Sequence, residues 1–491
     1  MSATLEGIPH KPFGWRFISP LLLGSTLNPI NSALIATGLV GIGVDMHAGP
    51  GATASLISVL YLCSAVMQPT MGKLSTLFGP RRIFLTGVVI LLVGGVAGAA
   101  APSLGVLLLS RALIGVGTSA AYPTAMSLVR TRADVAGIGV PSRVLGNFSI
   151  ASQVTAVIGL PLGGVLVGAF GWRALFAVNI PLALITLIFT LVGVAKDQPI
   201  AREGHERVLT ALDLPGIVLF AGAIVSLLVV LADLRSPAWW LAAVAVVLAA
   251  ALVFWERRTH RPLIDVRMLA TNVPLQRTYL RQMLAALGVY AVLYGASQWM
   301  EESKHLGAST VGLILLPLSV FSIVVTAVVS RRGWVRWPLI LGGVALILTA
   351  GMMLTITHAS PIVVLISMSL LLGLTNGFAG FGNQATLYVQ APAADIAVAS
   401  GLYRTAAYIG AIFSSSLIGL TFGAGVTDNG FHTLAWVLGG IGSVVVLLTV
   451  FDRSIPYLAN TSSASASDAQ ARGTGPVQGV QGKTHPRESK A

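Results

Sequence analysis

Charge is what this sequence has least of. Charged residues make up 10% of the 491, against about 25% in soluble domains, which excludes a chain clothed throughout in a water-facing surface. Cysteine occurs once, at Cys63; an intrachain disulfide is impossible, and a small packed apolar thiol is the expected role. Acidic residues number 17 against 30 basic ones, and they fall in loops, tails or the ends of apolar runs. No Gly-x-x-x-x-Gly-Lys-Ser/Thr loop is present to cradle ATP phosphates. No Cys/His cluster has metal-ligand spacing, and no nucleophile stands beside a base. These absences argue against ATP drive, a metal centre and an enzyme, and no cofactor is expected.

What is abundant is apolar sequence. Hydrophobic residues are 55% of the chain and mean hydropathy is +0.84. A helix needs roughly 20 apolar residues to cross the hydrocarbon of a bilayer. Fourteen such runs follow one another from 17–43 to 433–451, so the expected class is an all-α integral membrane protein. With the N-terminus cytoplasmic, the outward loops carry only Arg173, Arg235 and Lys304, while nearly all other basic residues fall at the opposite ends. This positive-inside bias places both termini in the cytoplasm of a plasma-membrane protein. It also accounts for the net charge of +13 without nucleic acid. Span 1 is too long for a signal-peptide core and lacks a cleavage site.

One loop is specific. QPTMGKLSTLFGPRR (68–82) resembles the loop between spans 2 and 3 of the major facilitator superfamily, with pattern Gly-x-Leu-x-Asp-x-x-Gly-x-Arg-Arg. Gly72, Leu74, Gly79, Arg81 and Arg82 match, and Thr76 replaces the Asp, which weakens the loop as a charged conformational latch. In span 4, Arg111, Gly115 and Gly117 are similar to the Arg-x-x-x-Gly-x-Gly signature. Gly159, Gly163 and Gly164 fit an antiporter-associated span 5 element, its proline one place late at Pro161. GWRALFAVNIP (171–181), DLPG (213–216) and FWERRTHRPLIDVRML (254–269) resemble the fourteen-span drug:proton antiporter branch. The resemblance implies two pseudo-symmetric six-helix halves, 17–195 and 277–451, about a central cavity. Residues 196–276 would hold an inserted helix pair and linkers, 1–16 a cytoplasmic N-terminus and 452–491 a disordered tail, rich in Ser, Gly and Gln. It further implies secondary export of small amphipathic drugs or metabolites, with protons as the coupling ion, and a part in coupling or cavity organisation for Arg111.

Polar residues inside spans sketch the cavity: Asn28, Asn31, Gln68, Arg111, Tyr122, Asn147 and Gln153 in the first half, and Tyr290, Tyr294, Gln298, Asn376, Asn383, Gln384, Arg404 and Tyr408 in the second. Ionisable groups inside a membrane are costly and default to functional candidates. Arg111 and Arg404 qualify; Arg404 either binds an anionic solute or snorkels to the interface. The branch's usual span 1 Asp aligns with Thr26, so no mid-span carboxylate is available to carry a proton. That leaves Asp45, Glu301 and Glu302 as peripheral proton candidates. The alternatives are a passive or differently coupled carrier of neutral or anionic metabolites, and a transporter-derived sensor. The expected partners are a small-molecule substrate and the lipid bilayer, with the monomer the favoured state.

Overall fold

The computed structural model describes residues 12–197, 213–232, 234, 237–423 and 425–458. The far N-terminus, most of the first linker, Arg235 and residues 459–491 of the expected tail lie outside the described residues. The first half comprises α1 (Trp15–Ala36), α2 (Leu39–Asp45), α3 (Pro50–Phe78), α4 (Pro80–Ala99), α5 (Leu104–Ser119), α6 (Ala121–Val135), α7 (Ser142–Phe170), α8 (Ala174–Ala177) and α9 (Asn179–Gly193). A hairpin of α10 (Leu214–Ala232) and α11 (Trp239–Glu256) follows, then the short α12 (Val266–Thr271). The second half holds α13 (Val273–Glu302), α14 (Ala308–Arg332), α15 (Arg336–Met353), α16 (Ile362–Gln390), α17 (Ile396–Phe422) and α18 (Asp428–Val450).

Among the described residues twelve helices are long and apolar enough to cross a membrane, and the α1–α2 pair, bent by 61°, makes thirteen. At 29 residues α7 has the length for a fourteenth. Apolar side chains cover the lipid-facing surface of these helices, so small residues set the crossings inside. A Cβ on Gly159 would lie 2.4 Å from Ala33 Cβ, and one on Gly163 would lie 2.6 Å from Thr37 Oγ1, so α7 rests directly on α1. Gly115 packs similarly on α3, and Gly117 on α4; Gly164 meets nothing within 4 Å. Pro161 sits inside α7 without ending it.

The inserted hairpin is tied down by acids. Asp213, buried at φ 48°, accepts from Gly216 N, Trp255 Nε1 and Leu263 N at 3.2, 2.7 and 2.9 Å. Glu256 accepts from Ile264 N at 3.3 Å. The DLPG and FWERRTHRPLIDVRML segments are thus one knot. It places α10 against α3 and α17.

The start of the expected tail requires correction. Asp452 and Ile455 are 1% and 2% exposed, and Leu458 bridges antiparallel to Trp334. Arg281 Nη1 meets Asp452 Oδ2 at 2.9 Å, with both side chains fully buried; Arg277 Nη1 reaches Oδ1 at 3.5 Å. Arg281 also donates to Thr278 Oγ1 at 2.7 Å and to Asn383 Oδ1 at 3.4 Å. An arginine at the end of span 9 cannot stay buried alone, so the chain after α18 folds back to neutralise it.

Candidate functional site

The halves meet where α3 packs on α17 and α7 on α14. A Cβ on Gly401 would come within 2.5 Å of Pro69 N, and one on Gly72 within 2.6 Å of Ala397 O. Gly146 is pressed on Ser330 in the same way. All three contacts lie at the end of the bundle where α1 begins and α18 ends. Tyr388 OH donates to Met126 O at 2.5 Å, and Arg130 Nη1 to Tyr388 O at 3.4 Å, closing that end. Gln384 Nε2 faces Met126 Sδ at 3.9 Å beside them.

Above this plug the polar residues form layers. Arg404, two turns into α17, holds its guanidinium 4.1 Å from the Tyr122 ring centre. Its Nη2 donates to Ser152 Oγ at 3.5 Å, while its Nε and the Tyr122 hydroxyl are buried without partners. One turn further, Tyr408 OH donates to Asn28 Oδ1 at 2.8 Å and accepts from Gln68 Nε2 at 2.9 Å. Asn28 Nδ2 donates to Ser64 Oγ and Thr118 Oγ1. Asn28 lies about 20 Å from the start of α1 and Tyr408 about 18 Å from that of α17, so this bridge spans the halves near mid-depth. Gln153 Nε2 makes a second bridge to Thr326 Oγ1 at 3.0 Å. Beyond, Tyr61 stacks obliquely on Tyr408 with centroids 5.7 Å apart. Tyr290 and Tyr294 stack at 5.6 Å, and Tyr294 is 45% exposed. Among the described residues, the hydrogen bonds linking the halves come from the plug and mid-depth layers.

Other expected members sit elsewhere. Arg111, 1% exposed, donates to Leu56 O at 3.0 Å and Asn31 O at 3.3 Å. Asn31 in turn donates to Asn179 Oδ1. Both tie helices within the first half. Asn376 pairs with Ser322 inside the second half, and Asn383 belongs to the Arg281 cluster. Asn147 is exposed, and Gln298 turns to Glu302 Oε1 at 3.0 Å. Of the proton candidates, Asp45 accepts from Trp172 Nε1 at 2.8 Å and pairs with Arg173, while Glu301 and Glu302 are exposed. Tyr61 and Arg281 escaped the sequence reading. Tyr61 lies mid-span with the other tyrosines, so its position was a usable signal.

A carboxylate also reaches the basic loop, from an unexpected place. Asp197, just past α9, accepts from Arg81 N and Arg82 N at 3.0 and 2.9 Å, capping the first turn of α4. Its oxygen would lie 2.4 Å from a Cβ on Gly79, whose φ is 96°, so only glycine admits it there. Thr76 merely donates to Lys73 O. Asp197→Ala should lower stability by about 1 kcal/mol, read by thermal unfolding in detergent; no change would remove the cap from the account.

The model of the Major Facilitator Superfamily matches residues 21–415. The chain belongs to the major facilitator superfamily. An uncharacterised MFS-type transporter, YwoD of Bacillus subtilis (strain 168), is 33% identical over 88% of this chain and 96% of its own length. The tetracenomycin C resistance and export protein of Streptomyces glaucescens is 27% identical, over 86% of this chain and 80% of its own. Among solved structures, the proton:xylose symporter XylE superposes with a TM-score of 0.63 at 16% identity, covering 92% of this chain and 98% of its own. That last likeness concerns the fold alone. This facilitator is therefore a multi-pass membrane transporter, with Arg404, Tyr122 and the Asn28–Tyr408–Gln68 bridge between its halves.

Proposed function

We propose that this facilitator exports small amphipathic molecules from the cytoplasm by alternating access. The observation that carries the reading is the Asn28–Tyr408–Gln68 bridge, a polar seam between two halves that are packed together on the termini side. A seam of a few neutral hydrogen bonds, each about 1 kcal/mol, can break and reform as the halves rock. With the termini side in the cytoplasm, the orientation that the charge asymmetry of the loops supports, the described state is closed to the cell interior. The tyrosines 61, 122, 290, 294 and 408 supply apolar faces with polar tips, a lining suited to amphipathic rings. The export named for the tetracenomycin C relative supports the direction.

Proton coupling, the drive implied by the branch resemblance, would fall to the rim carboxylates Asp45, Glu301 and Glu302. Inside-out vesicles with an acid interior test both points together. The expected result is protein-dependent accumulation of a labelled amphipathic compound, with dissipation of the pH gradient if protons are exchanged. Failure of neutral, cationic and anionic compounds alike to accumulate would contradict export.

A further inference from the structure

Arg404, two turns into α17, is a cation with no ion-pair partner among the described residues. Among the described ion pairs none includes it, and the groups it meets are the Tyr122 ring and Ser152 Oγ. The half-buried guanidinium stacks on Tyr122 at 4.1 Å, has one long bond to Ser152, and keeps Nε free. Arg111, the other mid-span arginine, bonds the carbonyls of Leu56 and Asn31 and forms no ion pair among the described residues. Arg281 is neutralised by Asp452. The interior around the seam therefore carries uncompensated positive charge in a low-dielectric setting, where it is costly. A guanidinium with free donors is shaped for a planar or tetrahedral oxyanion, and the tyrosines around it suit an aromatic body.

Resting on the exporter reading, we propose that the solute is an aromatic organic anion whose acidic group pairs with Arg404, and that the membrane potential drives it outward. Arg404 crosses loaded and returns empty, so its own charge cancels over a cycle. The net displacement is the solute's negative charge moving out of a cell that is negative inside. A potential of 100 mV corresponds to about 2.3 kcal/mol per charge, or roughly a 50-fold outward concentration ratio. Such a cycle needs no carboxylate in mid-membrane, which is what the chain lacks.

The test uses inside-out vesicles held lumen-positive by a potassium gradient and valinomycin, without a pH gradient, beside protein-free controls. Two probes of matched size and fixed charge are compared, naphthalene-1-sulfonate and N-methylquinolinium. The expected result is sulfonate accumulation that rises with the potential, at least tenfold slower in Arg404→Gln and partly retained in Arg404→Lys. Equal sulfonate transport by Arg404→Gln, or accumulation of quinolinium instead, would overturn the inference while leaving export standing. Movement of neither probe by the inserted wild-type protein would likewise overturn the inference, whereas export falls only if neutral, cationic and anionic compounds alike fail to accumulate in acid-interior vesicles.

Discussion

Gly401→Val is expected to lower transport about 100-fold while the protein still inserts. The Cβ alone would fall 2.5 Å from Pro69 N and 2.6 Å from Gln68 C, and these are main-chain atoms of α3 that cannot rotate aside. Overpacking of this kind costs typically 1–3 kcal/mol, and the whole cost falls on the state in which α3 and α17 touch. A shift of about 3 kcal/mol moves a two-state equilibrium by roughly 100-fold, which would hold the carrier open toward the termini. Ser330, 3% exposed against Gly146, reports that opening. In a Cys63→Ser background, a cysteine at 330 should resist alkylation in the parent and react in the valine variant. Unchanged transport with an unreactive cysteine would show that this contact does not govern closure.

Asp452→Ala should destabilise the protein by about 3–5 kcal/mol, because it leaves Arg281 buried and uncompensated. The paired variant Arg281→Met with Asp452→Leu should regain most of that loss, since removing both charges also removes their desolvation cost. The pair has a pH signature as well. Burial by itself pushes the Asp452 carboxyl up, but hydrogen bonds from Ser454 and Arg281, with the arginine's charge, outweigh it and hold the group below the usual carboxylate range. A depressed folded-state value means that the stabilisation is present above the unfolded value of about 3.9 and is lost as pH falls through the lower folded one. Thermal unfolding in detergent should therefore show an acid-side loss in the wild type that is missing from Asp452→Ala. An Asp452→Ala protein as stable as the wild type would mean that the chain after α18 does not anchor the second half.

The span pattern was legible because bilayer thickness writes itself into the sequence as apolar runs of fixed length. Mid-span polarity likewise pointed to Asn28, Gln68, Arg404 and Tyr408. What it could not supply was pairing: Asn28 and Tyr408 are 380 positions apart, and only the docking of the halves brings them together. Periodicity also fails to say which way an isolated amide faces, and so Asn147 and Gln298 looked equivalent to Asn28. Composition misled at Asp452 and Asp197. Both lie in short polar stretches that read as solvent-exposed, yet each answers a demand made elsewhere, by buried Arg281 and by the open end of α4. Arg281 itself was hidden by its place near a span boundary, where arginines ordinarily reach water.

The central claim is that two halves rock about the Asn28–Tyr408–Gln68 seam, with the termini side closed in the state described. Pulsed electron–electron distance measurements test it most directly. One pair of spin labels goes at Arg143 and Arg332 on the termini side, another at Val40 and Glu301 on the far side, all exposed positions. On saturation with a transported compound, the account predicts a second population in which the first distance lengthens as the second shortens. Distances that stay fixed, or that lengthen together at both ends, would contradict it.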